Sequence, residues 1–409
     1  MANAQKILEQ YSQISSWQEE LYKHFHRNPE LSLKEFNTAE RIEDELKNLG
    51  LEPQRIGETG VVAVIENGEG KTVLARADID ALPVTENTGL DYASENSGVM
   101  HACGHDGHIS ALMGAVRLLV ENKDQWSGTY LALFQPAEEL AAGAQKMVDD
   151  GLVEKLPKPE IAFSQHLMVG PAGAVATKSG PIMSAADSIK ITVHGRGAHG
   201  SMPQNSVDAV VLASSIVVRL QSIVAREVQP GVFAVVTVGA INAGSKSNII
   251  PDSAELLVNI RTYDNQVREH IINALERIVK AECDAAQSPK APEFEYYDQF
   301  PLTDNSEDVN EHVTKAFKEA FGEDVQSGEP ASASEDFSKV PDAFGTPYAY
   351  WFVGCTDPKV WEKAVESGTV SQDIPTNHNP GFAPVLQPTL ERATGAQVVA
   401  ALSYLGKQG

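Results

Sequence analysis

The sequence predicts an α/β protein: a mixed, mostly parallel sheet flanked by helices, interrupted by an inserted ferredoxin-like α+β domain. Three observations predict it. The N-terminal third alternates helical periodicity with short continuous apolar runs, the pattern of a parallel sheet covered on both faces. Residues 184–297 follow the order strand–helix–strand–strand–helix–strand. Beyond them the chain returns to mixed helix and strand, over too few residues to favour a third domain. The expected organisation is therefore one domain in two parts, 1–183 and 298–409, carrying 184–297 as an insert.

Each element has its own signal. Ser32 and Glu35 have the spacing of a capping box, and Ala39, Ile42, Leu46 and Leu49 recur behind them at helical spacing, with Gly50 as a stop. Val61–Glu66 and Thr72–Ala77 are apolar runs bounded by Gly and Lys and read as strands. Ile109–Val120 reads as a buried helix, and Tyr130–Phe134 as a strand ended by Gln135-Pro136. In the insert, Asp187–His194 alternates as a half-buried strand does. Val207–Val224 is helical, Val232–Ile241 and Ala254–Arg261 are strands, and Val267, Ile271, Leu275, Ile278 and Val279 stripe a second helix. Phe294–Tyr297 supplies the fourth strand. Val309–Phe321 is then helical, Ala349–Gly354 a strand and Thr389–Leu405 a closing helix.

Composition narrows the function. The chain of 409 residues is 42% hydrophobic and 22% charged, and 32 basic against 56 acidic residues leave a net charge of −24. That balance argues against a nucleic-acid binder, which needs a basic stripe. Three cysteines, Cys103, Cys283 and Cys355, are an odd number and no disulfide framework, so a reducing cytoplasm is the expected location. Met1–Glu20 has no apolar core of a signal peptide, and no run approaches the length of a membrane span, so no membrane partner is expected.

The densest chemical signal is His101-Ala102-Cys103-Gly104-His105-Asp106-Gly107-His108. Thiolate, imidazole and carboxylate are the ligands of zinc and similar metals, and two glycines let the backbone bend around an ion. A second signal, Gln135-Pro136-Ala137-Glu138-Glu139, directly follows an apolar strand, where ligands of parallel sheets gather. Adjacent carboxylates can divide labour, one holding metal and the other moving a proton. Asp78, at the end of Thr72–Ala77, could orient a ligating histidine. His166 follows the apolar Ile161-Ala162-Phe163, and His378 sits in a loop. Each of these alone also suits a plain structural role. Together, Asp78, Cys103–His105, Glu138–Glu139 and His166 fall at strand ends of one predicted sheet, as a metal centre requires.

The motifs Arg76-Ala77-Asp78-Ile79-Asp80-Ala81-Leu82-Pro83, Met100–His108, Gln135–Glu139 with Gly143-Ala144, and Ser247–Ser253 resemble those of metallo-amidohydrolases of the aminoacylase/carboxypeptidase superfamily. The branch they resemble holds hippurate hydrolase, auxin-conjugate hydrolase and N-acetyl-diaminopimelate deacetylase. His26–Ser32 and Ser334-Glu335-Asp336-Phe337 extend the likeness, which runs from about residue 20 to 400. The resemblance implies a zinc-peptidase-like catalytic domain with a lid and dimerisation insert, hence a homodimer. It implies two divalent metals, most simply zinc with manganese, cobalt or nickel as alternatives. Cys103 would bridge them, and His105, Glu139, His166 and His378 would complete the ligands. Glu138 would be the general base, Asp78 would brace His105, and His199 would polarise the scissile carbonyl, reaching across a dimer. Asn248 and Arg261 would hold the amino-acid part of the substrate. Asn379, after the last ligand, departs from the small residue the family pattern leads one to expect.

These roles imply hydrolysis of N-acyl-L-amino acids to a carboxylic acid and a free amino acid, a small-molecule substrate. An arginine suits a free carboxylate, which it grips with two hydrogen bonds. Overall likeness within the branch points to N-acyl-glutamine, though no single residue names the substrate. Two alternatives remain: a carboxypeptidase or dipeptidase of the same superfamily, and a non-catalytic metal-binding relative. Cys103 where dipeptidase relatives carry Asp, and Arg76 where they carry His, argue against the first. A complete ligand set with Glu138 argues against the second. The other histidines read differently: His101 as a neighbour of the ligands, and His24, His26, His108, His194, His270 and His312 as structural or exposed.

Overall fold

The computed structural model describes residues 2–407. The chain divides into two compact units. One comprises Met1–Ile182, Asp304–Pro330 and Asp336–Gly409, and the other comprises Met183–Thr303 with Ala331–Glu335.

The first unit is built on an eight-stranded mixed sheet. Its strands run in the order Gln54–Ile56, Gly60–Asn67, Gly128–Gln135, Thr72–Asp78, Ile161–Pro171, Tyr348–Thr356, Val175–Thr177, Val325–Ser327. The four central strands, Gly128–Gln135 to Tyr348–Thr356, are mutually parallel, and Gly60–Asn67 joins them antiparallel. Central strands are buried on both faces, so they carry no alternation: Leu131, Ala132, Leu133 and Phe134 have no exposed surface. The helix His105–Glu121 is buried from His105 to Val116 and lies inside the core, packed by the helices Tyr11–Arg27 and Leu386–Leu405. Because the central strands are parallel, their carboxyl ends share one edge, and Asp78, Gln135 and His166 sit at or near it.

The second unit is an antiparallel sheet in the order Ala234–Ala243, Ser253–Thr262, Ala185–His194, Glu293–Phe300, which is the ferredoxin-like arrangement. Ile189, Ile191 and Val193, with Leu256, Val258 and Ile260 on the paired strand, share the face that packs on two helical segments. Asp208 and Asp264 cap these through their side chains, each accepting from two backbone N–H groups. The helix expected over Val207–Val224 is two, Ala209–Leu220 and Ser222–Glu227, broken at Gln221. By length and composition alone Ala209–Glu227 could cross a membrane, but one face of it is packed on the sheet.

Two further differences from the sequence reading have physical causes. Ser32 and Glu35 form no capping box. Ser32 donates to Asp80 at 2.6 Å. Glu35, wholly buried, accepts from Leu33 N and Ala137 N and from the Thr59 hydroxyl. Tertiary partners claim both side chains before the helix Phe36–Asn48 begins. The short segment Ala331–Glu335, loose and polar by composition, packs with the second unit, where Ala333 O accepts from Ser184 N at 2.8 Å.

Candidate metal centre

Three backbone features set the site. Gly104 holds φ at 89° between Cys103 and His105, a left-handed geometry that glycine adopts freely and that starts the helix at His105. Ala137 and Ala141, at φ 46° and 52°, bracket the single turn that presents Glu138 and Glu139. His378 itself sits at φ 69°. Non-glycine residues held this way cost on the order of 1–3 kcal/mol each and gather at functional sites. Asn377 clamps the last loop by donating to Cys103 O and Leu167 O, both at 3.1 Å.

The side chains converge. Cys103 Sγ lies 3.4 Å from His166 Nε2, and His378 Nε2 lies 3.3 Å from Glu139 Oε1. His105 Nε2 is 3.9 Å from both Glu138 Oε2 and Glu139 Oε1. Three overlapping groups, Cys103/His105/His166, Cys103/Glu139/His378 and His105/Glu138/Glu139, each have ligand atoms within 4.8 Å of one another. Donor atoms about 2 Å from a shared metal are about 3–4 Å apart, so this spacing fits bound ions.

The chemistry of the donors fits too. His105 Nδ1 is taken by Asp80 O at 2.9 Å and His166 Nδ1 by Leu167 O at 2.8 Å. In the neutral ring, the form that binds a metal, the Nε2 of each is therefore the lone-pair nitrogen. His105 Nε2 and Glu139 Oε1 are buried and have no hydrogen-bond partner, as metal-ligand atoms should not. Burial depresses the His166 pKa well below its usual value and keeps the ring neutral. Burial, with Glu139 and Glu138 beside it, lifts the Cys103 thiol, so a thiolate there needs a cation at hand. Burial also works against protonation of His105, yet Asp78, Asp80 and Glu139 overcome it and raise the ring to about 10. The pocket attracts positive charge.

Asp78 was expected to brace His105. The structure instead places Asp78 Oδ1 2.5 Å from His108 Nδ1, with Oδ2 3.6 Å from His105 Nε2. Asp80 orients His105 through its backbone carbonyl, and its Oδ1 lies 3.2 Å from the same Nδ1. His108, read as structural, accepts from Leu167 N at 2.8 Å and so ties Asp78 to the strand bearing His166. Buried Arg76 holds Asp78 at 2.8 Å and also reaches Gln135 at 2.9 Å and Asp336 at 3.4 Å. The sequence reading missed Asp80, Arg76, Asp336 and Asn377 as supports. Asp80, Arg76 and Asp336 stand inside quoted motifs and Asn377 beside a ligand, which was the available signal.

In the second unit, His199 and Asn248 are neighbours: Ala198–His199 pairs with Ile249–Ile250, and Gly200 N donates to Asn248 O at 2.8 Å. Arg261 is not with them. It lies at the other end of Ser253–Thr262, eight residues from Ser253, or about 25 Å along the strand. There it donates to Ser332 O at 3.0 Å and to the Ser334 hydroxyl at 2.9 Å.

A thiol, imidazoles and paired carboxylates at the carboxyl edge of a parallel sheet define a metal-binding hydrolase. The chain belongs to peptidase family M20/M25/M40, whose pattern matches residues 74–370. It is 37% identical to thermostable carboxypeptidase 1 of Saccharolobus solfataricus, over 87% of this chain and 90% of that one. It is 40% identical to N-acetyl-L-cysteine deacetylase of Bacillus subtilis, over 77% and 75%, and 38% identical to hippurate hydrolase of Campylobacter jejuni, over 78% and 83%. A Bacillus subtilis structure described as a dinuclear metal-binding peptidase of the M20 family superposes with a TM-score of 0.77 at 26% identity, covering 96% of this chain and 99% of that one. The protein is thus an amidohydrolase-family enzyme with a metal-binding site.

Proposed function

We propose that the protein hydrolyses the amide bond of N-acyl-L-amino acids, N-acyl-glutamine among them, releasing a carboxylic acid and the free amino acid. The observation that carries this reading is Glu138 set 3.9 Å from His105 Nε2, inside a complete Cys/His/Glu ligand set. Cys103, His105, Glu139, His166 and His378 would hold up to two divalent ions. A set mixing thiol, imidazole and carboxylate suits zinc, with manganese, cobalt and nickel as competitors. When bound, the metal supplies Lewis acidity, which brings the ionisation of water toward neutral pH and polarises a carbonyl.

The chain's own groups do the rest. Glu138 takes the proton from the attacking water and hands it to the leaving nitrogen. Arg261 grips the free carboxylate of the substrate, and Asn248, the neighbour of His199, holds the amino-acid part from the same side as that histidine. His199 donates to the carbonyl oxygen as charge develops there. Arg261 stands about 25 Å along its strand from Ser253, and His199 and Asn248 lie beyond that far end, too far for one small substrate. His199 of the partner subunit therefore serves each site, and the working form is a homodimer. Support for the pairing surface comes from the edge strand Ala234–Ala243, whose outer side is unpaired among the described residues. The helix beside it exposes Val211 and Val218.

The test is a release assay across N-acyl amino acids and blocked peptides, with metal analysis of the same sample. Free amino acid from acyl amino acids is the expected result. The relative named carboxypeptidase favours a second reading, and release of C-terminal residues from blocked peptides alone would establish it.

A further inference from the structure

Ser32 and Glu35, spaced like a helix cap, form none, and their loop has no role in the account so far. Glu35 is wholly buried, yet the groups its carboxylate accepts from are all neutral. Oε1 accepts from Leu33 N and Ala137 N, both at 2.9 Å, and Oε2 from the Thr59 hydroxyl at 2.9 Å. A carboxylate buried among neutral donors is costly, so packing alone gives no reason for one here. Ala137, 102 residues away, opens the turn that presents Glu138 and Glu139, and it does so at φ 46°. Within that turn Ala137 O accepts from Ala142 N at 3.2 Å and from Gly143 N at 3.1 Å, and Glu138 O accepts from Ala141 N at 2.8 Å. The Ala137 N–H is held from outside the turn, by Glu35. Glu139 N is held from outside as well, by Asp80 Oδ2 at 3.1 Å, and that oxygen also accepts from Ser32 at 2.6 Å. The loop therefore grips the residues on either side of Glu138, one directly and one through Asp80.

Resting on the amide-hydrolase reading above, we infer that Glu35 is a positioning residue: by holding the Ala137 N–H it fixes the turn that aims the carboxylate of Glu138 and keeps Glu139 among the metal ligands. Ala137 stands in a geometry that L-residues avoid, so the turn needs an outside partner to stay in it. A proton-moving group displaced by about 1 Å can lose on the order of 10²-fold in rate. What Glu35 contributes is reach, not charge. Glu35→Asp keeps the charge but draws the carboxylate back by one C–C bond, about 1.5 Å, out of reach of Ala137 N. Glu35→Gln keeps the reach. Its Oε1 accepts from both N–H groups, and its amide nitrogen donates to Thr59, whose hydroxyl can accept as well as donate. A role in the electric field of the metal site would rank the two variants the other way.

The test measures kcat and KM on an N-acyl amino acid, zinc affinity by competition with a chelator, and Tm, for the wild type, Glu35→Gln, Glu35→Asp and Thr59→Val. Glu35→Asp should lose about 10²-fold in kcat while KM stays within about threefold. It should also bind zinc about tenfold or more weakly, as a site does when a ligand loses its support. Glu35→Gln should stay within about threefold of the wild type in both kcat and zinc affinity. Thr59→Val removes the bond to Oε2 and leaves the Ala137 N–H held, so it should lower Tm and leave kcat and zinc affinity near wild type. A loss in Glu35→Gln equal to that in Glu35→Asp overturns the inference, and so does a loss of kcat in Thr59→Val in proportion to its Tm. Where Glu35→Asp does not fold, Glu35→Gln decides alone: near-wild-type values uphold reach, and a fall of about 10²-fold overturns it. Zinc affinity needs no turnover and keeps the two readings separate. If no N-acyl amino acid is hydrolysed but Glu35→Asp weakens zinc and Glu35→Gln does not, the positioning role stands and the proposed reaction falls. If the substrate is hydrolysed and Glu35→Asp costs neither kcat nor zinc affinity, the reaction stands and the positioning role falls.

Discussion

Glu138 and Glu139 are neighbours in sequence with different surroundings. Glu139 faces His378 at 3.3 Å, while Glu138 is buried and lies 3.9 Å from His105 Nε2. Glu138→Gln should therefore keep metal content near wild type while kcat falls by about 10²–10⁴, the range for losing a general base. Glu139→Gln should lose metal. Parallel metal analysis and kinetics on the two variants check this, and the reverse pattern would exchange the roles. Asp80 gives a second prediction at this scale. Its carbonyl accepts from Nδ1 of His105 and its carboxylate charge lies 3.2 Å from the same nitrogen, so Asp80→Asn should weaken metal binding about 10–100-fold with the fold intact. Competition with a chelator measures it; unchanged affinity would return the orienting role to Asp78. The gathering of these side chains was legible in the sequence, because three histidines, a cysteine and paired glutamates are dense signals. Which aspartate orients His105 was not. Asp78 and Asp80 both belong to the Arg76–Pro83 motif, and only the turn after the strand decides which one faces the ring.

At the scale of elements, the loop before His105 and the first turn of its helix are fastened from behind. His26, with no exposed surface, sits between Asp106 Oδ2 at 2.6 Å and Glu86 Oε1 at 3.2 Å. Burial lowers its pKa, but the two carboxylates outweigh this and raise it to about 9. A folded-state pKa above the unfolded value of about 6.5 means the stabilisation is complete below pH 6.5 and is lost as pH rises through 9. The contribution is on the order of 3 kcal/mol. Melting curves of the metal-loaded enzyme should fall over pH 6.5–9, and His26→Gln, less stable at neutral pH, should fall less. Parallel slopes in the two proteins would show that His26 is neutral in the fold. Gly104→Ala forces a side chain into a left-handed position, which costs about 1–2 kcal/mol, and should lower both Tm and metal content. His26 read as structural from the sequence, and its partners lie 60 and 80 residues away, so no local pattern could pair them. Strands and long helices were legible, because burial on both faces writes continuous apolar runs. The apparent capping box at Ser32 and Glu35 misled, because Asp80, Thr59 and Ala137 supply stronger partners than the helix terminus.

At the scale of the whole molecule, two units divide the proposed labour. The metal-binding groups lie in one, and His199, Asn248 and Arg261 in the other. The order of strands in the insert was legible from alternation, but the assignment of Ala331–Glu335 to it was not, since five polar and small residues carry no periodicity. The placing of Arg261 at one end of Ser253–Thr262 and of His199 beyond the other predicts a homodimer, which sedimentation at micromolar concentration checks. A monomer with full activity would refute the sharing of His199. Arg261→Ala should raise KM strongly for N-acyl amino acids and little for their amides, since loss of a desolvated charge pair costs on the order of 2–5 kcal/mol. Equal loss on acid and amide would give the carboxylate to another cation. The most direct measurement strips the enzyme with a chelator, then titrates zinc back while following both bound metal per chain and amino acid released from an N-acyl amino acid. The account predicts no release from the stripped protein and recovery in step with metal bound, up to two ions per chain. Full release from a verified metal-free sample would contradict it.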